Sequence, residues 1–268
     1  MNILNLIKTK HRTAMKLFGQ GSVDATVHEL GMNDVFLASY PRSGNTWARN
    51  IIAHLLHPNL EISALTDLND LVPDIHKSQI KHNPSGSLRV IKTHRPFVLR
   101  HNPEDSSLYD RNIYICRDPW NVFCSLYHYR KFKEPRLRIE DLMYDFLIGN
   151  QKWLSWQDHL LSWKSQEDKR KILFLRYEDM MEKPEESIRS IACFLNVDAS
   201  DETITRIRSA TSIEAMIRME RNGSIRSQKF DFIRRGKSRQ ESDIRILNGS
   251  VQTSVRNYCS YGMKIMNY

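Results

Sequence analysis

Only four cysteines occur in 268 residues, at positions 116, 124, 193 and 259. They neither pair at metal-ligand spacing nor crowd together, which excludes a disulfide-stapled scaffold and fits a reducing, cytoplasmic compartment. Cys116 lies in the apolar run IYIC and Cys193 in IACFL, so both are expected to be small buried hydrophobes. Ten glycines and nine prolines gather into no linker, and no repeat or low-complexity tract divides the chain. Apolar runs fall well short of the roughly 20 residues needed to span a bilayer. The opening MNILNLIKTKHRTAMKLFGQ lacks the continuous apolar core of a secretory signal. Residues 1–30 are therefore expected to be an amphipathic surface extension, and residues 31–268 one soluble domain without stable membrane insertion. No His, Cys, Asp or Glu cluster has ligand spacing, so no metal is expected.

Lys and Arg number 40 against 31 Asp and Glu, a net charge of +9. Such a chain attracts anions, and charge alone does not choose among nucleic acid, an acidic membrane and a polyanionic nucleotide. The placement of the basic residues is more informative. The apolar run DVFLASY (34–40) has strand length and is followed by PRSGNTW and the helical stretch TWARNIIAHLL. Asn45 or Thr46 is the expected N-cap, and His57-Pro58 the stop. LRVIKTH and NIYIC read as further strands. After the latter, Asp118 caps and Pro119 opens a helix. A fourth strand, KILFLRYED, precedes MMEKPEESIRSIACFLN, where Pro184 sits in the first helical turn and Ile188, Ile191, Ala192 and Leu195 form a 3.6-residue stripe. Strands alternating with helices predict an α/β fold, a central parallel sheet with helices on both faces. The segment RMERNGSIRSQKFDFIRRGKSRQESD predicts a long surface loop, and residues 243–266 a closing helix.

A loop joining a buried strand to a helix start aims backbone N–H groups and the helix dipole at one point, where an anion binds. In PRSGNTW, Gly44 permits close approach, Ser43, Asn45 and Thr46 offer donors, and Arg42 adds a positive charge. The pattern GxxxxGK[ST] is missing, which disfavours nucleoside triphosphate chemistry.

SYPRSGNTW resembles the 5'-phosphosulfate loop of the cytosolic sulfotransferases, written YPKSGTTW in that family, with Arg42 in place of Lys and Asn45 in place of the first Thr. The resemblance implies a P-loop-like domain. It also implies a sulfotransferase that moves the sulfuryl group of 3'-phosphoadenosine-5'-phosphosulfate (PAPS) to a hydroxyl or amine of a small-molecule acceptor. The product nucleotide would be 3'-phosphoadenosine-5'-phosphate (PAP). IKTH resembles the family's catalytic segment, which implies His94 as general base, Lys92 as donor to the sulfuryl group and Arg42 as the cation at the bridging oxygen. Imidazole suits a base because it titrates near neutrality.

YICRDPWNVFCSLYHY resembles the 3'-phosphate segment, which implies Arg117 and Ser125 as a clamp. LFLRYEDM resembles LFLFYEDM, which implies Tyr177 against adenine, with Trp47 stacking on the base. Thr211 and Ile213 follow from ATSIEAM. FIRRGK resembles FMRKG, which implies Arg234, Arg235 and Gly236 at the 3'-phosphate, although the usual GDW is replaced by KSRQESD. The resemblance runs from about residue 34 to 265. The family's dimerisation signature is not recognisable, which leaves oligomeric state open.

Two other readings differ in class. A nucleotide or small-molecule kinase needs the missing GK[ST], and a basic nucleic-acid binder needs a basic face with exposed aromatics. The acceptor pocket is expected in loops 60–85, 127–145 and 218–243. Tyr127, Tyr129, Phe132 and Trp153 are candidates for its wall, although helix-spaced aromatics are more often core. The acidic positions Glu61, Asp67, Asp70 and Asp74 read as a solvated face in preference to a contact for a cationic acceptor.

Overall fold

The computed structural model describes residues 30–31, 33–75, 80, 86–97, 110–149, 153–222 and 249–268. Four strands, β1 (Asp34–Ser39), β2 (Arg89–Thr93), β3 (Arg111–Cys116) and β4 (Lys171–Arg176), form one parallel sheet in the order β2-β1-β3-β4. Every residue of β1 is buried. This is why DVFLAS reads as a continuous apolar run and not as an alternating one: a central parallel strand is covered on both faces.

Alternate residues feed two different cores. Val35, Leu37, Val90, Ile113 and Ile115 pack with α1 (Asn45–Leu56), α7 (Pro184–Leu195) and α8 (Asp201–Ala210) through Ile51, Ile52, Ile188, Ile191 and Ile207. On the opposite face, Ala38, Tyr114 and Cys116 pack with α3 (Pro119–Lys133), α4 (Ile139–Ile148) and α5 (Trp156–Lys164) through Phe123, Phe146, Trp156, Leu160 and Trp163. The remaining described helices are α2 (Leu68–Leu71), α6 (Tyr177–Glu182), α9 (Ile213–Asn222), α10 (Gly249–Tyr258) and α11 (Ser260–Ile265). The expected closing helix is thus two, divided at Cys259.

Several local expectations hold. Asp118 caps α3 by accepting from the Asn121 N–H at 2.9 Å, with Pro119 in the first turn, and Pro184 opens α7. The first helix ends at Leu56, just before His57. Others need correction. The N-cap of α1 is Gly44, not Asn45 or Thr46, and no side chain caps that helix. Cys193 is exposed, because it lies one step off the buried stripe Ile188, Ile191, Ala192 and Leu195. Much of 127–145 is helical, within α3 and α4. The expected N-terminal extension lies almost wholly outside the described residues, as do Arg234, Arg235 and Gly236.

Because all four strands run the same way, their C-terminal ends share one edge. Ala38 is level with Thr93, Ser39 with Ile115 and Cys116 with Arg176. His94, the phosphate loop, Arg117 and Tyr177 each follow directly from one of those ends. That edge is where open α/β sheets place their ligands.

Candidate active site

The loop after β1 turns sharply at two residues in the left-handed region, Arg42 (φ 71) and Gly44 (φ 96). A side chain at Gly44 would also put its Cβ 2.5 Å from Cδ2 of Tyr177. Glycine is required there by backbone conformation and by the ring beside it. Arg42 is a non-glycine residue in a sparsely populated conformation, of the kind that concentrates at functional turns.

The loop, β3 and α3 are tied together by their basic side chains. Arg42 Nε donates to Ser125 Oγ of α3 at 3.0 Å, and Arg117 NH1, after β3, donates to the Arg42 carbonyl at 3.1 Å. The Arg117 guanidinium lies over the Tyr177 ring, 4.3 Å from its centroid, and Trp47 meets the same ring edge-on at 5.8 Å. Ser43 Oγ, Trp47 Nε1 and Arg117 Nε are buried here with no hydrogen-bond partner among the described residues. Buried donors usually find acceptors, so this set suits a ligand rich in oxygen atoms.

Asn45 behaves differently from a phosphate donor. Its Nδ2 turns back to β1, donating to Leu37 O at 3.3 Å and Ser39 Oγ at 3.1 Å. What it can present to an anion is its backbone N–H at the helix start. Thr211 is also occupied: its hydroxyl donates to Ile207 O at 2.8 Å at the end of α8. Ile213 is half-buried and opens α9. Asn50 of α1 donates to the sulfurs of Met216 and Met219 on α9. The Thr211–Ile213 corner is thereby anchored to the helix that begins at the phosphate loop.

His94 is half-buried, with Nδ1 2.8 Å from the carbonyl oxygen of Ser39 and 3.3 Å from Ser39 Oγ. A carbonyl only accepts, so the neutral ring carries its proton on Nδ1 and its lone pair on Nε2. Trp153 stands edge-on to the ring at 6.0 Å. Of the other aromatics considered for the acceptor pocket, Tyr129 lies under the Arg42 and Lys133 cations, Tyr127 leans on the core and Phe132 is exposed. Lys92 is largely buried, its Nζ 2.6 Å from Asp74 Oδ2. This corrects the reading of Asp74 as part of a solvated face, which holds for Glu61 and Asp70.

Sequence reasoning missed the support beneath His94. His159 of α5 is fully buried. Its Nε2–H donates to the His94 carbonyl at 3.1 Å, and its Nδ1 accepts from the Tyr114 hydroxyl at 2.9 Å. Trp163 Nε1 donates to Arg95 O, and Phe97 N donates to Ser162 Oγ. One helix thus clamps residues 94–97. The only signal in the sequence was a histidine on the apolar face of WQDHLLSWK, which ordinarily means core.

Burial pushes the His159 imidazole down from 6.5 to about 4, so the ring is neutral in the folded chain. Between those values the unfolded chain binds the proton and the folded chain does not. Stability should therefore be complete above pH 6.5 and be lost on acidification toward pH 4, by up to about 3 kcal/mol from this residue. His54, also pushed down by burial, acts in the same direction. Urea titrations of wild type and His159→Gln across pH 4–7 measure it: the slope in this window should be shallower in the variant.

Residues 32–246 match the family model of the sulfotransferase domain. The chain belongs to the sulfotransferase family. It is 33% identical over 201 residues to dog sulfotransferase 1B1, covering 69% of this chain and 66% of the relative. Identity to Arabidopsis thaliana cytosolic sulfotransferase 13 is 32% over 209 residues, covering 71% and 64%. The chain thus spans just under two thirds of the length of these curated relatives. Retinol dehydratase solved with retinol and PAP has the same fold: the TM-score is 0.69 at 21% identity, covering 89% of this chain and 84% of that one. The sheet of this sulfotransferase-family chain is accordingly the family's P-loop-like core.

Proposed function

We propose that this chain transfers the sulfuryl group of PAPS to a hydroxyl or amine of a small-molecule acceptor, in the cytoplasm. The observation that carries the reading is the junction of two chain turns and a helix: Arg42 on Ser125 of α3, and Arg117 on the Arg42 carbonyl. A ligand with phosphates at both ends of an adenosine fits such a cradle. Gly44 and the backbone N–H groups at the start of α1 face the 5' end, Arg117 and Ser125 take the 3'-phosphate, and Trp47 with Tyr177 flank the base. The buried, unpartnered donors Ser43 Oγ, Trp47 Nε1 and Arg117 Nε support the fit. Arg234, Arg235 and Gly236 complete the 3' side in this proposal, and Thr211 and Ile213 border the adenine.

Bound there, PAPS supplies an activated sulfuryl group on a good leaving group. The chain's own work is positioning and charge. His94, with Nδ1–H held by Ser39, presents Nε2 to take the proton of the attacking acceptor. Arg42 stabilises negative charge at the departing oxygen and, being an arginine, does so without giving up a proton. Lys92 supplies a cation at the sulfuryl oxygens. Small acceptors are consistent with relatives named for sulfotransfer and with a neighbour that holds retinol.

Calorimetry with PAP, ATP and AMP, followed by sulfur-35 transfer from labelled PAPS to a library of phenols, alcohols and amines, tests the proposal. PAP should bind at least tenfold more tightly than ATP, without magnesium, and label should appear on an acceptor. Preference for magnesium-ATP, or for nucleic acid with a steep salt dependence, would replace the reading.

A further inference from the structure

Asp74 reads in the sequence as part of a solvated acidic face, yet it is 2% exposed and lies against the proposed sulfuryl-binding lysine. The backbone explains how it reaches that place. Residues 73–75 add to the free side of β2 as one more parallel rung: Lys92 N donates to Pro73 O at 2.8 Å, Ile75 N donates to Lys92 O at 3.1 Å, and Asp74 stands level with Lys92. Level residues of parallel neighbours put their side chains on the same face of a sheet. The carboxylate is therefore delivered beside the ammonium by register.

The turn leading into that rung is held from α1. Arg49, itself buried, donates from NH2 to Leu68 O at 2.7 Å and from Nε and NH2 to Val72 O at 2.9 and 2.6 Å. Burial lowers the Arg49 pKa to about 10, an effect the nearby Asp74 charge opposes. A continuous set of contacts thus runs from the helix that starts at the phosphate loop, through Arg49 and the 68–72 turn, to Asp74 and Lys92.

We infer that Asp74 is a positioning residue: its buried carboxylate fixes the Lys92 ammonium where the sulfuryl end of the nucleotide arrives, and so tunes recognition of that end separately from the adenosine bisphosphate. The inference rests on the proposed function. A lysine on a flexible four-carbon stem loses considerable rotamer entropy when it must stand in one place. A buried partner already 2.6 Å from Nζ means that much of this ordering is complete before ligand binds, which is preorganisation.

The two possible roles of Asp74 predict opposite signs. If the carboxylate acted only as a background charge, removing it would tighten binding of every polyanion, PAP and PAPS alike. As a positioning group, its removal loosens PAPS and spares PAP. Dissociation constants for PAP and PAPS by calorimetry on the full chain distinguish them, with thermal melting to confirm folding. Asp74→Asn is expected to weaken PAPS about tenfold and PAP less than threefold, as is Lys92→Met. The double variant should be no weaker than Lys92→Met alone, because partners in one contact are not additive. Asp74→Glu, which keeps the charge and moves it by one methylene, should recover part of the loss. It also serves as the test if the Asn variant does not fold, with a PAPS-selective loss smaller than that of Lys92→Met.

Tighter binding of both ligands, equal weakening of both, or additive losses in the double variant would overturn the inference. Wild type that binds neither PAP nor PAPS would instead remove the proposed function itself.

Discussion

His94→Ala is expected to lower sulfuryl transfer by about 10²- to 10⁴-fold, the usual worth of a positioned general base, while PAP binds within about twofold of wild type. The prediction follows from two features of the ring. Its Nδ1 is committed to the Ser39 carbonyl, which leaves Nε2 as the atom able to accept a proton. The ring also stands at the end of β2, beside the loop that follows β1. The measurement is a pair: turnover by sulfur-35 transfer and PAP affinity by calorimetry. Turnover close to wild type would remove His94 from the base role. A matching collapse of PAP affinity would make it a binding residue instead. His159→Gln, which loosens the same segment from below, should cost less turnover than His94→Ala, because the Ser39 contact to the ring survives.

The second large effect concerns the 3'-phosphate. Arg117→Ala removes a guanidinium that bridges Arg42, Tyr177 and the proposed phosphate position. A hydrogen bond to a charged group contributes roughly 1.5–3 kcal/mol, so PAP affinity should fall about 10- to 150-fold. Ser125→Ala should cost less, because its hydroxyl is a single neutral donor and Arg42 remains. The discriminating ligand is adenosine-5'-phosphosulfate, which lacks the 3'-phosphate: both variants should bind it nearly as wild type does. Equal losses for the two ligands would mean that Arg117 organises the loop as a whole, through the Arg42 carbonyl, and does not clamp one phosphate.

The legibility of the site varied with the range of its interactions. The phosphate loop was readable because one short segment carries strand, turn and helix start together, and Gly44 marks the turn. Asp118 and Pro119 were readable for the same reason: capping is a matter of neighbouring residues. Asn45 was misassigned because nothing local says whether its amide faces a ligand or the strand six to eight residues earlier. Cys193 was misplaced because an apolar string does not by itself say which side of a helix faces the core. His159 was passed over and Asp74 was misread as solvated because their partners lie far along the chain, the His94 carbonyl 65 residues away and Lys92 18 residues away.

The order of residues by itself determined the parallel α/β class, the four strands and the motif at each strand end, because apolar runs, glycine turns and helix caps are governed by near neighbours. The tertiary structure decided what those ends do to one another. It chose the His94 tautomer through a backbone carbonyl, joined Arg42 to Ser125 and Arg117, and turned an acidic position into the buried partner of Lys92. Those outcomes depend on sheet register and helix packing, which bring distant groups within hydrogen-bonding distance, and no local pattern encodes such distances.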